Sequence, residues 1–139
     1  MISLVEFLKT YNGTLKRFGE FALKIESSCT DKDLAVSVVE AEFGKNLINH
    51  VEKEDAGKLE ISFFRKDTIL VQAKKIVGGH GLEVEIIDGI FSVGVGGDVR
   101  SYTPVVNISG PFPGWEVLEK LSSEITNTLP INRVTFEPK

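Results

Sequence analysis

Along the first fifty residues, apolar side chains return every three to four positions; beyond Lys58 they alternate. The first period predicts helices and the second predicts half-buried strands. Residues 2–11 predict a short amphipathic helix, with Ile2, Val5 and Leu8 on one side and Leu4 and Tyr11 beside them, stopped by Asn12-Gly13. Residues 15–27 fit both periods. Leu15, Phe18, Ala22 and Ile25 suit a helix, whereas Phe21, Leu23 and Ile25 alternate as in a strand, the preferred reading for the last part. Thr30, with Asp33 three residues on, resembles a capping box. It opens a helix that Leu34, Val38, Val39, Phe43, Leu47 and Val51 carry to Glu52, before Glu54-Asp55-Ala56-Gly57 breaks it.

From there the pattern predicts strands. Leu59, Ile61 and Phe63 form the first, Arg65-Lys66-Asp67 a turn, and Ile69, Val71 and Ala73 the second. Gly78-Gly79-His80-Gly81 is a tight turn before Leu82, Val84 and Ile86, which alternate with Glu83 and Glu85. Asp88-Gly89 suits a type I′ hairpin leading to Phe91, Val93 and Val95. Gly96-Gly97-Asp98 turns the chain into residues 99–108, where Pro104 marks an edge strand or a bulge. Trp115, Leu118, Leu121 and Ile125 then recur at helical spacing to Thr128, Pro130 stops them, and Val134 and Phe136 suggest a short last strand. The helix-rich first half and strand-rich second half predict one α+β domain over residues 1–139. Its sheet is an antiparallel meander of five to six strands, residues 58–108 plus the C-terminal strand, with two or three helices packed on one face.

In an up-and-down meander alternate turns share a rim, so the Gly78–Gly81 and Gly96–Asp98 turns are expected as neighbours roughly 10 Å apart. That rim would gather His80, Asp98 and Arg100 among glycines that include Gly79 and Gly97. Such a cluster could bind an anion: histidine titrates near neutrality, Asp98 would orient it, and Arg100 would clamp a carboxylate or phosphate. Plain turn chemistry explains the same glycines. A phosphate loop at Gly94-Val95-Gly96-Gly97-Asp98 is excluded by its context, because strand rather than helix follows it.

The sheet also reads as apolar on both faces. Leu70 and Ile76 have parity opposite to Ile69, Val71 and Ala73, and Phe64 is opposite to Phe63. Phe64, Leu70 and Ile76 are therefore a candidate contact surface, for a second copy of the chain, another protein or an apolar ligand, and Trp115 either plugs the open end of the core or anchors such a contact. The chain's own uncertain segment 15–27 could equally cover that face.

Composition narrows the picture. A chain of 139 residues, 42% hydrophobic and 26% charged, fits an ordinary globular domain. The single cysteine, Cys29, cannot close an internal disulfide and points to a reducing, cytoplasmic setting. It precedes a helix start, where a thiolate is favoured, but no base lies nearby in sequence. The N-terminus lacks a basic segment, and no apolar run is long enough to span a bilayer. With two histidines and one cysteine, no zinc-site spacing exists and no cofactor is implied. His50 falls near the end of the long helix, where its charged form would suit the dipole. Net charge −4 disfavours nucleic acid, although Lys74-Lys75, Arg65-Lys66 and Phe63-Phe64 supply a few suitable residues. Gln72 is the sole glutamine, compatible with a thermophilic source. The expected function is a non-catalytic, self-associating or protein-binding domain; the alternative is a small anion-binding protein or enzyme acting at the glycine-rich rim.

Overall fold

The computed structural model describes residues 2–55, 57–96 and 99–139, those at 88, 94–96 and 99–101 by their backbone alone. The chain is α+β, as its segregated pattern predicts, and it divides into two compact units, Met1–Arg65 and Lys66–Lys139.

The first unit is a four-stranded antiparallel sheet covered on one face by two helices. Helix α1 (Leu4–Thr10) starts where the Ser3 hydroxyl accepts from the Glu6 N–H and ends at Asn12-Gly13, with Asn12 at φ 50°. Its inward residues are Leu4 and Phe7, i and i+3, while Val5 faces water. The ambiguous segment is a hairpin, β1 (Thr14–Phe18) and β2 (Ala22–Ser27), turned at Gly19, whose φ of 60° suits a residue without a Cβ. Helix α2 (Lys32–Phe43) is capped by the Asp31 carboxylate, which accepts from the Leu34 N–H at 3.1 Å, one residue after the Thr30 cap expected. Gly44, at φ 96°, ends this helix eight residues before the expected Glu52. Residues 47–52, expected as its last turns, belong instead to β3 (Leu47–Asp55), which pairs with β4 (Lys58–Arg65). His50 is accordingly a strand residue, not a helix terminus.

The strand order is β1-β2-β4-β3. Leu23, Ile25, Leu59, Ile61 and Phe63 share one face and pack with Leu4 and Phe7 of α1 and Ala35, Val38 and Val39 of α2. The opposite face carries a polar row across three strands. Lys24 Nζ lies 2.8 Å from Glu52 and 3.6 Å from Glu60, and the Ser62 hydroxyl donates to Glu52 at 2.6 Å. Burial alone would lower the Lys24 pKa; the hydrogen bond and charge of Glu52, then those of Glu60, outweigh it and leave the pKa raised.

The second unit begins with the largest departure from the sequence pattern. Residues 66–77, expected as a turn and a second meander strand, form helix α3 (Lys66–Val77). Ile69, Ala73 and Val77 are its buried stripe at i, i+4 and i+8, and Val71 is 55% exposed. Asp67 in the first turn and Lys74 and Lys75 in the last complement the helix dipole. The single meander of residues 58–108 is thus divided: β4 belongs to the first sheet, and a second sheet holds β5 (Glu83–Gly96), β6 (Val99–Gly110) and β7 (Arg133–Pro138) in that order.

Asp88-Gly89 is not a hairpin. It lies in the register shift between Ile87 and Phe91 within one long strand, with Gly89 at φ 77°. Pro104 pairs with Phe91 at the end of that bulge, one residue before the β6–β7 ladder begins at Val105. Its missing N–H is tolerated there, although β6 is the central strand and not an edge. The last strand runs parallel to β6. Parallel neighbours need a crossover, which helix α4 (Trp115–Thr128) supplies.

Candidate functional site: an apolar groove beside Trp115

The sequence of α4 gives it two working faces. Leu121 and Ile125, one turn apart, are buried. Trp115, Leu118, Glu119 and Ser122 follow at i, i+3, i+4 and i+7 and form one wall of a groove of about 760 Å³. The other wall is Val134, Thr135 and Phe136 of β7 with Ile108 of β6, which is paired with Phe136. Phe112, in the loop between β6 and α4, joins the walls. Its ring meets Trp115 edge to face with centroids 5.1 Å apart and approaches Phe136 at 6.1 Å. Gly114 permits this close turn: it is the N-cap at φ 101°, and its carbonyl accepts from the Leu118 N–H. Trp115 remains 77% exposed and Phe112 52%.

Chemically, this groove presents mostly apolar surface. Glu119 is the one ionisable group among its lining residues, so no acid–base pair is assembled among them. Among the described residues, no group of three His, Cys, Asp or Glu side chains converges as a metal site would require. No helix among them is long and apolar enough to cross a membrane.

The glycine-rich rim expected from the meander is not formed by the described residues. Gly79, at φ 90°, and the exposed His80 precede β5, whereas the Arg100 backbone pairs with Val95 near the far end of that strand. Most of the length of β5 separates His80 from Arg100, because α3 replaced the strand whose return would have placed the two turns side by side. Gly97 and Asp98 lie outside the described residues. Of the expected contact residues, Phe64 is buried in β4, and Leu70 and Ile76 are half-buried residues of α3, where alternation no longer defines a face. Trp115 alone is widely exposed.

Phe112, Leu118 and Phe136 were not expected as site residues, although Phe112 stands three residues before Trp115 and Leu118 three after it. The meeting of Arg17, Phe43 and Arg65 was not expected either, because strand pairing brings the two arginines together and the end of α2 brings Phe43 to them.

Cys29 is 2% exposed, and its sulfur is within 3.3 Å of both the N–H and the carbonyl of Asp31. A thiol reagent should therefore leave the native chain unmodified over the time in which it fully labels the urea-unfolded chain. Equal labelling rates would contradict the burial.

No protein-family model matches the chain. It is similar to "GMP synthase [glutamine-hydrolyzing]" of Staphylococcus saprophyticus, 38% identical over 98 residues, covering 58% of this chain and 18% of that protein. The chain thus spans less than a fifth of the length of the curated relative it matches.

Proposed function

We propose that this chain is an interaction module that associates with a second copy of itself through the groove beside Trp115. The exposed Trp115 at the lip of an apolar groove carries the reading. A tryptophan side chain can bury roughly 150–250 Å² in a contact, and such side chains are the usual anchors of interfaces. Knob and recess lie side by side on one surface, so a two-fold arrangement lets each copy seat its Trp115 and Phe112 in the other's groove. The adjoining β7 favours the same partner. Among the described residues it pairs with β6 alone, leaving one edge for a strand of a second copy.

The reading assigns no reaction. The relative's name describes an enzyme that makes GMP and hydrolyses glutamine, and a chain spanning 18% of it is read as a shared segment without that activity. The single thiol, Cys29, is enclosed and offers no accessible sulfur nucleophile for glutamine hydrolysis.

Trp115 is the only tryptophan, so its emission reports on this site alone. Light scattering at rising concentration should show a dimer, and emission should shift to the red as the dimer is diluted. Trp115→Ala should weaken association by at least about 2 kcal/mol, roughly thirtyfold in Kd. A monomer at high concentration, or a dimer indifferent to Trp115→Ala, defeats the proposal.

A further inference from the structure

We propose that a recess in the first unit, bounded by Arg17, Phe43 and Arg65, binds a ligand through an oxyanion group, a phosphate monoester in preference to a carboxylate. Three pairings bring these residues together. Arg17 of β1 is opposite Leu23 of β2, Leu23 is opposite Phe63 of β4, and Arg65 lies two residues beyond Phe63. Period two puts Arg17, Leu23, Phe63 and Arg65 on the helix-covered face, at one end of the sheet. Phe43, the last residue of α2, sits there because Gly44 stops the helix at that point.

Both guanidinium groups rest on the Phe43 ring, their central carbons 5.2 and 5.4 Å from its centroid. Those are cation–π distances, and stacking of this kind restricts a flexible side chain before any ligand arrives. The two arginines border one hollow of about 180 Å³ whose lining includes Gly19, Glu20, Ala22 and Leu23. Among the described residues neither guanidinium is ion-paired, although Glu20 lines the same hollow and the chain as a whole carries net charge −4. Two like charges held against one ring repel each other, and a doubly charged anion between them relieves that repulsion. Planar guanidinium forks match phosphate and carboxylate oxygens in pairs, and the dianion of a phosphate monoester engages both positive charges at once. This site is independent of the groove beside Trp115.

The test is a titration of the full chain with inorganic phosphate, phenyl phosphate, acetate and chloride at constant ionic strength, following the Nε–H resonances of Arg17 and Arg65. Saturable shifts of both resonances with the phosphates, and weaker or absent ones with chloride, are expected. Arg17→Gln and Arg65→Gln should each weaken binding about tenfold. Arg17→Lys with Arg65→Lys keeps the charge, removes the forks and should weaken binding as well, so the test survives if a neutral variant fails to fold. Saturation by acetate but not by phosphate would overturn the assignment to a phosphate monoester. Linear shifts for every anion, or phosphate binding unchanged in the doubly substituted lysine variant, overturns the proposal.

Discussion

Replacing Phe63 by Ala is expected to lower stability by about 3–5 kcal/mol, the usual cost of emptying a buried phenylalanine site. Phe63 is 1% exposed on β4, a strand with partners on both sides, and lies in the cluster that joins the sheet to α1 and α2. Backbone pairing holds it between Leu23 and Asn49, so neighbouring strands cannot close the cavity by moving together. A loss of that size is a large part of the roughly 5–15 kcal/mol that stabilises a typical domain. Urea unfolding should show a lower midpoint with an unchanged slope. Val71→Ser supplies the contrast. On α3 that side chain is largely in water, and the change should fall within about 0.5 kcal/mol of neutral. Were residues 69–73 an inward-alternating strand, both substitutions would be costly. A severe Val71→Ser variant would thus contradict the helix, and a mild Phe63→Ala variant would contradict the core.

That contrast shows why part of the fold was legible and part was not. Ile69, Val71 and Ala73 satisfy period two, while Ile69, Ala73 and Val77 satisfy the helical period, and β-branched residues favour the first reading. Terminal signals could have decided it: Asp67 at one end, Lys74 and Lys75 at the other, and Gly78-Gly79 just beyond. At Phe43 the conflict ran the other way. Leu47 and Val51 continue the spacing of α2, so only Gly44-Lys45-Asn46 betrayed the break. Where terminal signals agreed with periodicity, the reading held: Asn12-Gly13 stops α1, Leu59 to Phe63 alternate in β4, and Trp115 to Thr128 form α4.

The candidate site was less legible because it depends on pairings between distant segments. Sequence placed Trp115 at the start of a helix but could not show that β7 returns parallel to β6 and brings Phe136 beside Phe112. It joined His80 to Arg100 through a connectivity that α3 interrupts. Arg17 and Phe43 stood in segments whose strand and helix limits were themselves unsettled, and neither offers a local signal of the other.

The same dependence on strand pairing makes Lys24 the most sensitive polar residue of the first unit. No local pattern links it to Glu52 and Glu60, yet the three side chains meet across β2, β3 and β4 with 20, 11 and 15% of their surfaces exposed. Lys24→Met would keep most of the aliphatic stem and remove the charge, leaving two nearby carboxylates without their shared cation. Breaking a buried pair costs about 3–5 kcal/mol; the residual solvent here lowers the expectation to about 2–3 kcal/mol. Adding Glu52→Gln should return part of that loss, since the two changes share one interaction. The pH dependence has a definite sign. A lysine pKa raised in the folded state means that the contribution is complete below the unfolded value of 10.5 and is lost as pH rises through the folded value. The gap between wild type and Lys24→Met should accordingly be full near neutral pH and close in strong alkali, with other titrating groups cancelling in the comparison. A gap that stays constant across that range would assign the effect to packing of the lysine stem instead of its charge.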